Sequence, residues 1–192
     1  MKAWSLCLAA SIALALPAAP ALAALPDYEA TPYECADFDA AANTCGEISW
    51  AEFDTPDSGT NSSVADFFFV PSQFGALDAN GQPLPSAVLA TTISTPFTIE
   101  SGDRMCSDYA AATFDIVPKD PATPAAVVNA FRTLLTAGFA TLDSVCATYT
   151  PNGDTWIWQM VDETGPIAGS EQPLTMLTEA QRANVTLREA PF

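Results

Sequence analysis

CSDYAAATFDIV, residues 106–117, and TPAAVVNAFRTLLTAG, residues 123–138, are the stretches that set the fold expected of this chain. In the first, Cys106, Ala110, Ala112, Phe114 and Ile116 share one face at a period of two, with Asp108 as the exception. That is the pattern of a half-buried strand. In the second, Val127, Phe131, Leu134, Leu135 and Gly138 recur at three-four spacing and draw one apolar stripe along a helix. Thr123 caps it, Pro124 suits its first position and Gly138 stops it. A stripe of this kind packs on a sheet.

The neighbouring segments extend the same picture. Residues 144–162 hold two apolar arms around Pro151-Asn152-Gly153-Asp154, which reads as a hairpin. Upstream, residues 35–54 read as two strands about a small-residue turn. DTPDSGTNSS, residues 54–63, reads as a surface loop, and VADFFFV, residues 64–70, as a short buried strand. AVLATTIS, residues 87–94, is a further strand, broken from Phe97 by Thr95-Pro96. Thr178 and Gln181 make a capping box for a short C-terminal helix. The expectation is one α+β domain over residues 24–192, with a loose arm at 24–34. It has a mainly antiparallel sheet, one main amphipathic helix on it and the short helix at the end.

The N-terminus has the three parts of a cleavable secretory signal. Lys2 is followed by an apolar run from Leu6 to Leu16, and Ala21-Leu22-Ala23 offers small residues for a cut after Ala23. The run is too short to span a bilayer, which takes about 20 residues. Cys35, Cys45, Cys106 and Cys146 follow it, an even number that reads as two disulfides in an exported chain. Four cysteines allow three pairings; Cys35–Cys45 and Cys106–Cys146 are the pairs expected, the first closing a short hairpin-like loop. The expected location is periplasmic or secreted, in a Gram-negative bacterium, with no membrane insertion once the signal is removed.

With 23 acidic residues against 6 basic ones and no histidine, the formal net charge is −17. Such a surface repels phosphate backbones, so nucleic acid is not an expected partner. Without histidine, neither a Ser-His-Asp nor a Cys-His nucleophile can be built. The glycine-rich phosphate and dinucleotide motifs are absent. Acid-base chemistry would fall to paired carboxylates, and Asp108 and Asp162, each on an otherwise apolar strand face, are the pair a carboxylate-dependent hydrolase would use.

Gly46, Ile48 and Glu52 carry one further pattern: a glycine, an apolar residue two places on and a glutamate six places on. The stretch resembles the second half of an EF-hand calcium loop. The resemblance implies a degenerate calcium loop over residues 37–52, with Asp37, Asp39, Asn43 and Glu52 as ligands. It departs from the pattern upstream, where the oxygen positions fall on Ala41, Asn43 and Cys45. Trp156 and Trp158 share one face of a strand and are candidate ligand-stacking residues. The function expected is therefore an exported acidic module that binds a protein or small ligand without catalysis and without a cofactor. The calcium module and the carboxylate hydrolase are its alternatives.

Overall fold

The computed structural model describes residues 24–142 and 144–192; the signal read over residues 1–23 lies outside them. In chain order the strands are β1 (Tyr33–Ala36), β2 (Thr44–Cys45), β3 (Glu47–Thr55), β4 (Ser58–Phe69), β5 (Ala87–Glu100), β6 (Arg104–Asp108), β7 (Thr113–Pro118), β8 (Ser144–Asn152), β9 (Thr155–Asp162), β10 (Gly165–Pro166), β11 (Gln172–Leu177), β12 (Thr186–Leu187) and β13 (Glu189–Pro191). Among the described residues, two α-helices, α1 (Ala125–Phe139) and α2 (Glu179–Arg182), and two short 3₁₀ turns complete the order.

The α+β expectation is corrected by this arrangement. Strand accounts for 50 % and helix for 16 % of the structure, and the strands close into a barrel. Eight strands run antiparallel around the ring as β1-β3-β4-β5-β6-β8-β9-β11, and β11 pairs back onto β1 with Tyr33 opposite Leu177 and Ala36 opposite Leu174. Each barrel strand lies beside the strand that precedes it, so the topology is a simple up-and-down meander. Closure removes the edges of the eight-strand ring itself; β13 and β7, each paired on one side, lie outside it.

Several segments behave differently from their local patterns. The polar run at 54–63 is not a loop: β3 turns tightly at Pro56-Asp57, and Ser58 already opens the long strand β4. Its polar residues suit a strand because the barrel interior is itself polar here. Pro96 does not interrupt β5, which runs unbroken with Pro96 opposite Thr60. The period-two stretch at 106–117 is two strands, β6 and β7. They are separated by a 3₁₀ turn at Tyr109–Ala111 whose backbone amides donate to the Asp108 carboxylate at 3.1 and 3.3 Å. The arm at 24–34 is not loose either. Leu25 and Tyr28 pack into the apolar base of the barrel beside Phe97, Met105, Tyr149 and Leu174, and Tyr33 and Glu34 belong to β1.

Strands β4 and β5 are longer than the barrel needs. Beyond Ala65, β4 leaves β3 and takes the parallel strand β13, while the first half of β5 takes β7 on its other side. The four strands form a flange that rises past one rim. Helix α1 lies on it, burying Val127, Phe131 and Leu135 against Phe69, Leu89 and Ile116. The apolar stripe read from the sequence is thus real, but its sheet is an outgrowth of a barrel and not the layer of an α+β domain. Phe131 meets Phe192 edge-on, with ring centres 4.5 Å apart, and Phe69 in a tilted contact at 5.0 Å.

Both expected disulfides are present, Cys35–Cys45 and Cys106–Cys146. The first lies outside the barrel wall in a cluster with Ile48, Leu177 and Val185, where the C-terminal segment wraps back. The second joins directly opposed residues of β6 and β8 and closes the insertion that carries β7 and α1. Helix α2 starts on the expected capping box of Thr178 and Gln181. Among the described residues no helix is long and apolar enough to cross a membrane.

Candidate functional site

Alternation along the barrel strands decides which side chains face inward. The register sets Glu47, Ser49 and Ala51 of β3 beside Ala65, Ser63 and Asn61 of β4, and these beside Thr91, Ile93 and Thr95 of β5. On the far wall Tyr149 of β8 stands opposite Trp158 of β9, which stands opposite Gln172 of β11; Glu34 and Ala36 of β1 complete the ring. An eight-stranded barrel has an interior just wide enough to be filled by side chains or to hold one small ligand. Here the small residues Ser49, Asn61, Ser63 and Ala36 leave part of it unfilled. A cavity of about 240 Å³ opens at the rim beneath the flange.

The cavity has a closed base and a partly roofed mouth. At the base, Tyr28 from the N-terminal arm donates its hydroxyl to one oxygen of Glu34, and Ser49 donates to the other at 2.9 Å. Glu34 is only 5 % exposed. Burial pushes its carboxyl up from the ordinary value, against the hydrogen bonds from Tyr28 and Ser49 that favour the ionised form. Burial likewise raises the Tyr28 and Tyr149 hydroxyls, and the adjacent Glu34 charge adds to both. Glu47 stands nearer the rim, reachable by water through the mouth yet walled in by neighbours. Burial first, and then the charges of Glu34 and Asp37, raise its carboxyl. Over the mouth sit Tyr109, from the turn after β6, and Phe139, from the last turn of α1, with ring centres 5.4 Å apart.

Of the residues singled out in the sequence, Trp158 lines this cavity. Trp156 faces inward as well, but lower, among the packed residues of the base. Both tryptophans therefore point into the barrel and offer no outward stacking ladder. Asp108 and Asp162 are exposed at strand ends and serve turns. The Asp162 carboxylate accepts from the Thr164 amide and hydroxyl, each at 2.7 Å, and those bonds hold it below the ordinary carboxylate range. Neither aspartate lines the cavity.

The calcium-loop residues do not converge. Asp39 accepts from the amides of Ala41 and Ala42 at 2.9 and 3.1 Å, and the Asn43 side chain donates to the Asn184 carbonyl at 2.7 Å. Asp37 and Asn43 take positive φ values of 53° and 54° that suit a tight turn. Glu52 sits six residues along the extended strand β3 from Gly46, about 20 Å at ~3.3 Å per residue, on the outward face. One further acidic and sulfur cluster, Glu100 with Cys106 and Cys146, has its sulfurs tied in a disulfide.

The residues that build the cavity were largely missed by sequence reasoning. Glu34 lay in a segment read as a loose arm, and Glu47 in one read for calcium. The available signal was parity: Glu34 and Ala36 on one side of Cys35, and Glu47 and Ser49 on one side of Ile48. It becomes informative only once the sheet is known to close. Comparison with protein-family models, with curated protein sequences and with solved structures finds no match for this chain.

Proposed function

We propose that this protein binds one small molecule in the barrel lumen, as an exported, non-enzymatic binding module. The observation that carries the reading is the cavity of about 240 Å³, closed at its base, partly roofed, and lined by both polar and aromatic side chains. Binding sites combine a concave, mostly preformed enclosure with a few placed polar groups, and this cavity has both. Export is supported by the secretory pattern at residues 1–23 and by the two disulfides, which suit an oxidising compartment.

The test is a thermal-shift screen of small compounds of every charge class against the disulfide-bonded protein and a Ser63→Phe variant. Ser63 faces the cavity from β4, so a phenyl ring there occupies the space a ligand would need. Compounds that raise the melting temperature of the native protein are expected to lose that effect in the variant. Stabilisation of both proteins alike, or of neither, would sink the reading.

A further inference from the structure

We infer that the molecule this lumen takes is a small organic cation, an ammonium group carried on a compact apolar body; the inference rests on the lumen-binding reading. Three independent features of the cavity point the same way. Its wall carries two carboxylates, Glu34 at the base and Glu47 near the rim, and no lysine or arginine. A carboxylate offers about four acceptor sites. Tyr28 and Ser49 donate to Glu34, and Tyr149 also acts on it, which still leaves acceptor capacity for one further donor entering from the lumen.

The second feature is aromatic. Trp158, Tyr149 and Tyr109 line the same enclosure as the carboxylates. Aromatic faces attract a cation electrostatically, most strongly when it is desolvated, so these rings and the two glutamates favour the same charge. The third is the field around the entrance. With a formal net charge of −17, the protein opposes the approach of anions and attracts cations. In size, a cavity of about 240 Å³ falls just below the ~300–1,000 Å³ of sites for drug-sized ligands, so the body it admits is compact.

Binding would also move protons. Glu34 and Glu47 are both held above their ordinary range, by burial and, for Glu47, by the charge of Glu34. The other titratable groups facing them are Tyr28, Tyr149, Tyr109 and Asp37. A bound ammonium favours the ionised carboxylates, so affinity should rise from mildly acid to neutral pH with release of protons.

The experiment is calorimetric titration at neutral pH with three probes of matched shape: phenethylamine, phenethyl alcohol and phenylacetate. Calcium chloride is run as a fourth. The expected result is saturable binding of phenethylamine, weakened about tenfold or more by Glu47→Gln. Glu34→Gln, which keeps the shape of the side chain, should weaken it likewise. Circular dichroism verifies that each variant is folded. Preference for the alcohol or for phenylacetate, with loss of that binding in Ser63→Phe, would overturn the cation inference and leave lumen binding standing. Heat from calcium but not from phenethylamine would overturn it as well. No binding by any probe, together with no hit in the wider screen, would remove both readings.

Discussion

The Cys106–Cys146 disulfide should stabilise the fold more than Cys35–Cys45 does, and the difference can be worked from the chain. A cross-link restricts the unfolded chain in proportion to the logarithm of the loop it closes. The sequence separation of 40 for Cys106–Cys146 corresponds to about 4 kcal/mol, against about 2.7 kcal/mol for the separation of 10 in Cys35–Cys45. Simple replacement would confuse this with packing, because Cys35 and Cys45 are both fully buried. The clean comparison uses each bridge alone. In Cys35→Ala/Cys45→Ala the remaining bridge is Cys106–Cys146, and in Cys106→Ala/Cys146→Ala it is Cys35–Cys45. Urea denaturation of each variant, oxidised and then reduced and refolded, gives the contribution of one bridge with its sulfurs in place throughout. The first difference should exceed the second by about 1.2 kcal/mol. An equal or reversed order would refute the loop argument and assign the stabilisation to local packing. Because the insertion closed by Cys106–Cys146 carries Tyr109 and Phe139, its reduction should also loosen the cavity mouth.

Two glycines should respond oppositely to the same substitution. A Cβ at Gly59 would lie 2.0 Å from the Glu52 carbonyl oxygen, where the β3–β4 pairing is irregular, so Gly59→Ala should cost about 3 kcal/mol by urea denaturation. Gly138→Ala, in α1 with open space around it, should instead stabilise by about 0.5 kcal/mol. The pH profile gives a further check on the lumen. Glu34 titrates higher in the folded than in the unfolded chain, so the stability it supports is complete below about 4.5 and is lost as pH rises through its folded value. Melting temperature should therefore fall from mildly acid to neutral pH. Glu34→Gln should flatten that fall and melt higher than the native protein at neutral pH; an unchanged profile would mean that Glu34 is not held as described. At still lower pH the trend should turn over, as Asp78 and Asp162, both held below their ordinary range, become protonated.

What the sequence made legible is local. The disulfide pairs, the hairpin at 144–162, the stripe of α1 and the capping box of α2 all depend on residues close together or on spacing alone, and each is found in the structure. Closure is not local. The pairing of β1 with β11 joins Tyr33 to Leu177, and nothing near either residue announces the other. The polar lumen hides the barrel further. Strand reading expects apolar residues on the inward face, but β4 enters with Ser, Gly, Thr, Asn, Ser and Ser, because its inward Asn61 and Ser63 line a cavity. The same inversion concealed the site: inward glutamates at 34 and 47 look like solvent-facing residues until the ring is drawn. Trp158 stood out in the sequence, but its direction into the barrel was not legible.

One strand face does two jobs, and this explains why so compact a cavity is tied to so long a pair of strands. Along β4 the inward positions run Asn61, Ser63, Ala65, Phe67 and Phe69; along β5 the residues opposite them run Thr95, Ile93, Thr91, Leu89 and Ala87. Below the rim this face is polar and lines the lumen. Above it the same face turns apolar and receives α1, whose last turn then brings Phe139 over the mouth. A one-residue slip between β4 and its neighbours would reverse every side chain. Ser62, Asp66 and Phe68 would point inward, Phe67 and Phe69 would lose Phe131, and the Asp66–Lys119 ion pair on the outer face would be broken. The packing of α1 against Phe69 and Leu89 therefore holds the register that sets Asn61 and Ser63 in the cavity wall. Substitutions in the aromatic flange should alter the chemistry of a lumen they do not touch, through the register and not through contact.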